Sequence, residues 1–159
     1  MLTPPRRSRW VGTVQVRSRN VSGETKYAGG CLCGAVRYEA SGEPLNQGYC
    51  FCADCRKASG SGFIPFMNFP AGTVRISGET RLNIVKSIRG SDAVRNHCAR
   101  CGSLVYGGIV GTDKQHTIYA GSLDDASLFR PAIAIFLRDK PDWVIAPAGL
   151  KTFETMPGL

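Results

Sequence analysis

Apolar residues along the chain recur in short alternating runs rather than in the 3.6-residue period of an amphipathic helix. In Ala35-Val36-Arg37-Tyr38-Glu39-Ala40 the alternation puts Val36 and Tyr38 on one side of a ribbon and Arg37 and Glu39 on the other, which predicts a strand. Similar runs lie at Gly62 to Phe69, Thr73 to Ile76, Leu82 to Ile88, Ser103 to Ile109, His116 to Gly121, Ala132 to Leu137 and Trp143 to Ala146. Glycine or proline punctuates nearly all of them. The best helix candidate is Ala53 to Ser59, and Ser122-Leu123-Asp124-Asp125 reads as a turn whose short polar side chains bond nearby backbone. The pattern predicts a mainly β domain with one or two short helical turns.

Composition narrows this without changing it. A chain of 159 residues with 43% hydrophobic residues can bury a core, is too short for two ordinary domains and is too apolar to be mainly disordered. It has no run of eighteen apolar residues, so no membrane span is expected. The net charge of +8 points to an anionic partner until its location is considered. Residues 1 to 26 hold six basic residues against one acidic, a net +5, and the remaining 14 basic and 11 acidic residues leave +3. Residues 1–26 are therefore expected to be a flexible basic extension and 27–159 a single domain. The extension could be a transit peptide, a nucleic-acid-binding arm or an unselected addition.

The seven cysteines change the picture most. They fall into three clusters, Cys31-Leu32-Cys33, Cys50-Phe51-Cys52-Ala53-Asp54-Cys55 and Cys98-Ala99-Arg100-Cys101. An odd count cannot be used up by internal disulfides, and the first residues lack the apolar run of a secretory signal, so reduced thiols in a cytoplasmic setting are expected. C-x-C and C-x-x-C spacings let pairs of thiolates converge on one ion, and Gly102 suits the positive φ such a knuckle needs. Two pairs make a closed tetrahedral zinc site, and three cysteines remain. Three thiolates leave a fourth position open, the signature of a zinc that handles a ligand, and the formal charge of −1 suits an external thiolate better than ionised water. The alternatives at this point are a second closed site completed by His97, His116 or Asp54, ordinary buried cysteines, or a redox pair.

The segments Gly29-Gly30-Cys31-Leu32-Cys33-Gly34-Ala35-Val36-Arg37-Tyr38, Cys50 through Gly60, and Cys98-Ala99-Arg100-Cys101-Gly102-Ser103 resemble the glutathione-dependent formaldehyde-activating enzyme / centromere protein V family. The similarity continues through Gly121 to Asp125 and Lys140-Pro141-Asp142-Trp143. The resemblance implies a β-tent fold of stacked small antiparallel sheets, a structural zinc on Cys31, Cys33, Cys98 and Cys101, and a catalytic zinc on Cys50, Cys52 and Cys55. It also implies a carbon–sulfur lyase activity in which glutathione is a co-substrate and its thiolate adds to formaldehyde. Two positions depart from many members: Phe51 and Ala134 stand where those carry histidine. Both would take a proton donor from beside the open position.

The leading expectation is thus a zinc-dependent carbon–sulfur lyase-type enzyme holding a small thiol, with two zinc ions per chain. Arg56, next to Cys55, is the candidate for pairing with substrate carboxylates. The rival is a non-catalytic zinc module that binds nucleic acid or chromatin through its basic extension. The extension has no interleaved aromatic residue beyond Trp10, which disfavours nucleic acid. Deleting residues 1 to 26 separates the two: an enzyme keeps its zinc and activity, a nucleic-acid binder loses most of its affinity. His97 is expected beside the knuckle rather than on a metal, Phe136 and Trp143 in packing, and Asp124 and Asp125 pointing apart.

Overall fold

In a computed structural model, residues 24–87 and 91–158 are described. Most of the basic extension lies outside them. The first strand already begins within it, at Lys26. The strands are β1 (Lys26–Gly30), β2 (Arg37–Ser41), β3 (Asn46–Cys50), β4 (Ile64–Pro70), β5 (Val74–Ser77), β6 (Thr80–Lys86), β7 (Asp92–Cys98), β8 (Leu104–Gly107), β9 (Gln115–Tyr119), β10 (Ile133–Ile135) and β11 (Lys151–Thr152). A single α-helix, α1 (Ala53–Ser59), and short 3-10 turns complete the described elements. The mainly β expectation holds. Among the described residues no helix is long and apolar enough to cross a membrane.

The strands form a small sheet in the order β1-β2-β5 and an eight-stranded sheet in the order β11-β10-β3-β4-β9-β8-β7-β6. The small sheet is antiparallel throughout. The large one is mixed, because β10 pairs parallel with both β3 and β11. Alternation explains how the layers meet. Tyr38 and Ala40 of β2 point inward while Arg37 points to solvent, and across from them Met67 and Phe69 of β4, Ile118 of β9 and Val105 of β8 fill the same core. Cys31 and Cys98 lie in that core, so the first and last cysteine clusters meet where the two sheets do.

The other residues of β4 and β9, Ile64, Phe66 and Asn68 with Thr117 and Tyr119, face a groove on the opposite side of the large sheet. The run Trp143 to Ala146 forms no strand. Proline stands before it and directly after, Val144 is anchored in an apolar cluster with Ala146 packed against it, and Trp143 and Ile145 are 75% and 90% exposed. Trp143 therefore does not pack as expected, whereas Phe136 is buried in a left-handed backbone conformation (φ 60°).

Candidate functional site

The four-cysteine centre is built by two tight turns. Gly29 and Gly30 bring the chain against β2 so closely that a Cβ on Gly29 would sit 2.2 Å from Tyr38 Oη and 2.3 Å from the Ser122 carbonyl oxygen. The turn then closes through Cys31 N–H to Val36 O at 3.0 Å, and the Val36 amide donates to Cys31 Sγ at 3.2 Å. On the other side the knuckle after β7 is closed by Gly102 N–H to Cys98 O at 2.9 Å, with Gly102 at φ 74° as its spacing predicts. The Leu32 amide donates to Ser103 Oγ at 3.2 Å, tying one turn to the other. All four sulfurs lie within 4.8 Å of one another, with Cys31–Cys33 at 3.6 Å and Cys33–Cys98 at 3.8 Å. A tetrahedron with zinc–sulfur bonds of about 2.3 Å has edges of about 3.8 Å, so the donor set fits a closed zinc site. The Ser103 hydroxyl, followed by its amide, pulls the Cys101 thiol down to about 5.

The second centre follows from the end of a strand running into a helix. Cys50 ends β3, Cys52 caps α1 with its sulfur accepting from the Cys55 amide at 3.4 Å, and Cys55 lies in the first turn. Gly60 closes the helix in the left-handed conformation. The three sulfurs again lie within 4.8 Å of one another. Thiols this close share protons: hydrogen bonds from Cys50 and then Cys55 pull Cys52 down to about 2, and the same bonds push Cys50 far up. A divalent cation would relieve that conflict by replacing the protons. Among the described residues no histidine or carboxylate joins this group. His97 Nδ1 sits 3.3 Å from the Gly102 carbonyl oxygen, His116 is buried in the core against Tyr106, and Asp54 stays out of the cluster.

Beside the three sulfurs lies a charge that the residue patterns missed. Arg95 in β7 is only 5% exposed, and its Nη2 donates to Cys55 Sγ at 3.8 Å. A guanidinium is buried this deeply only when paired, and a zinc with three thiolates would carry the matching negative charge. Arg95 and Cys98 stand three residues apart on β7, so the pleat alone turns one side chain to each face of the sheet, Arg95 to this centre and Cys98 to the other. A charged residue inside a strand that alternation had not marked gave no sequence signal. Arg56 does not line the groove, and its Nε is buried with no hydrogen-bond partner.

The groove has a volume of about 1350 Å³, and Cys50, Cys52, Cys55, Arg95, Tyr119 and Phe136 line one end of it. Burial raises the Tyr119 phenol well above its ordinary value, with the nearby Arg95 pulling the other way. Phe51 and Ala134 correct an expectation. They lie with Val144 in a separate buried cluster, and neither lines the groove. The reason is alternation: Cys50 and Ile135 face the groove, so their neighbours Phe51 and Ala134 face away. Asp124 and Asp125 do diverge, Asp124 pairing with Arg37 and Asp125 accepting from the Ser127 amide at 2.9 Å.

An uncharacterised lyase of Schizosaccharomyces pombe is 29% identical over 117 residues, covering 74% of this chain and 82% of the relative. A crystal structure of a Rhodobacter sphaeroides protein aligns with a TM-score of 0.45 and 21% identity, over 65% of this chain and 96% of that one. The family profile described as glutathione-dependent formaldehyde-activating enzyme matches residues 26–139, a span that takes in all seven cysteines. On that match the chain belongs to the glutathione-dependent formaldehyde-activating enzyme family.

Proposed function

We propose that the chain is a zinc-dependent carbon–sulfur lyase-type enzyme acting on the adduct of a small thiol with an aldehyde, glutathione and formaldehyde being the pair the family name supplies. The observation that carries this reading is a cluster of three cysteine sulfurs that no further ligand among the described residues completes and that opens onto a groove. Cys50, Cys52 and Cys55 would hold a zinc ion there, which would supply a site for an external thiolate beside the groove. Cys31, Cys33, Cys98 and Cys101 would hold a second zinc where the two sheets meet.

The chemistry then falls to groups of this chain. Attack of the thiolate sulfur on the carbonyl carbon forms the carbon–sulfur bond and moves the π pair onto oxygen, which needs a proton; cleavage runs the same step backwards. Tyr119, kept protonated by burial, is the proton donor that faces the groove. Arg95 offsets the negative charge gathered on the sulfurs. Phe136, Phe66 and Ile135 make the wall around Cys50 apolar, which excludes water and strengthens both effects.

Metal analysis and thiol binding in Cys50→Ser test this reading. The variant should retain about one zinc per chain and lose at least tenfold in glutathione affinity, since two cysteines hold zinc poorly. Two retained zincs with unchanged affinity would remove the assigned role.

A further inference from the structure

The eight-stranded sheet ends in two unlike edges. β11 at one end is a two-residue strand, whereas β6 at the other runs for seven residues, Thr80–Lys86, and pairs only with β7 among the described residues. The register between β6 and β7 is regular along its whole length, so no bulge twists this edge away, and no proline interrupts it. Which of its backbone groups are left over follows from the ladder. Ala99 N–H donates to Glu79 O at 3.0 Å and Ser87 N–H donates to Ser91 O at 2.9 Å, at the two ends of the pairing. Hydrogen-bonded pairs alternate along an antiparallel ladder, so Arg81, Asn83 and Val85 turn their backbone groups toward β7. Thr80, Leu82, Ile84 and Lys86 turn theirs outward.

The side chains of these outward-bonding residues share one side of the sheet. Thr80 Oγ1 donates to Asn96 Oδ1 at 3.2 Å and lies 3.5 Å from Tyr106 Oη, and Asn96 and Tyr106 are both buried, which marks this side as the continuation of the core face. The three-stranded sheet leaves the end of that face uncovered, with Leu82 and Ile84 51% and 53% exposed. Charge does not guard the strand either. Lys86 is paired with its own Asp92 at 3.2 Å, and Arg81 points by alternation to the other side of the sheet. An exposed strand of this length with apolar side chains and unspent backbone groups is a template for another strand.

We propose that β6 is the contact between two copies of this chain, pairing antiparallel with itself across a twofold axis at Asn83. The strand is its own complement in that register. Leu82 meets Ile84 of the second copy and Thr80 meets Lys86, so every outward backbone group finds a partner. Leu82 and Ile84 from both copies then close into one apolar cluster that extends the core face. On the other side Arg81 stands opposite Val85, and Asn83 stands opposite its own symmetry mate, whose carboxamide supplies both a donor and an acceptor. No like charges meet. A slide of two residues shortens the ladder and sets Leu82 opposite Lys86 or Thr80 opposite Ile84, and a slide of one sets outward-bonding residues against residues already spent on β7. Length, hydrogen-bond phase, apolar position and charge thus all select a second copy as the occupant.

Sedimentation of the zinc-loaded full chain over a range of concentrations tests the pairing. A monomer–dimer equilibrium is expected, and Leu82→Lys and Ile84→Glu should each weaken the dimer about tenfold or more while zinc content is unchanged. An equal mixture of the two variants should dimerise more tightly than either alone, because this register sets the position altered in one opposite the position altered in the other and joins lysine to glutamate. Hydrogen exchange on the unaltered protein gives a second reading that needs no substitution. The Leu82 and Ile84 amides should gain protection as concentration rises, whereas those of Asn83 and Val85, already bonded to β7, should not change with it. A monomer at every concentration, a dimer that both substitutions leave intact, or a mixture no tighter than its components overturns the proposal. Protection of the Leu82 and Ile84 amides that is independent of concentration also overturns it, since the edge is then covered from within one chain.

Discussion

Arg95 concentrates the electrostatics of the site in one side chain. Its guanidinium is buried, and the group it touches is a cysteine sulfur rather than a carboxylate. Arg95→Met removes the charge while keeping most of the apolar volume. The expected result is a loss of about tenfold or more in the affinity of the three-cysteine centre for zinc, read by competition with a chelator, with partial recovery in Arg95→Lys. Equal zinc retention in all three proteins contradicts the role. Tyr119 yields a prediction in pH. Its raised phenol remains protonated past pH 9, so the rate of adduct formation in the unaltered protein should not fall there for want of the donor, and Tyr119→Phe should lower that rate without changing glutathione affinity. The linked stability has the same sign: a folded value above the ordinary 10 leaves this contribution intact below pH 10 and loses it as pH rises through the folded value. Phe51 and Ala134 show how a residue-level reading goes astray. Their identities stand out in the sequence, but which way a side chain next to a ligand points depends on the strand it belongs to.

At the level of elements, strands with clean alternation were legible. β2, β4, β5, β6, β8, β9 and β10 all lie within or across the runs marked by alternation, and α1 spans Ala53–Ser59 as expected. The strands that were not legible are those whose residues serve something besides the pleat. β1 carries the glycine pair that lets the chain approach β2, β3 is polar at Asn46 and Gln47 because it faces a groove and a loop, β7 holds Arg95, Asn96 and His97 in sequence, and the two-residue β11 is too short to show alternation. Asn96 is buried because its amide donates to Gly108 O at 2.8 Å and accepts from Thr80 at 3.2 Å, a demand that no alternation rule anticipates. β7 also links the two centres, with Arg95 at one and Cys98 at the other. The β1 turn gives the prediction at this scale. Gly29→Ala must push back Tyr38 or the Ser122 backbone, so it should destabilise the protein by about 2–3 kcal/mol in urea unfolding and lower zinc occupancy of the four-cysteine centre. A variant as stable and as fully loaded as the original would show that the close approach is not required.

The molecule as a whole keeps its two metal-binding sets apart by putting them on opposite sides of one sheet. The four-cysteine set sits with the core between the sheets, and the three-cysteine set opens onto the outer groove. Counting ligands in the sequence anticipated this division into four and three, and the partition is the part of the site that was most legible. The groove and the place of Arg95 beside the sulfurs come from long-range strand register, which residue spacing does not encode. The central claim is that the three-cysteine set holds zinc with one position open to an external thiol. Zinc X-ray absorption on the fully loaded chain tests it most directly, by the mean number of sulfur neighbours per zinc before and after glutathione is added. Seven protein sulfurs shared by two ions predict a mean of about 3.5, rising to about 4 with glutathione. A fourth protein ligand completing both ions beforehand, or a sulfur count that glutathione leaves unchanged, would contradict it.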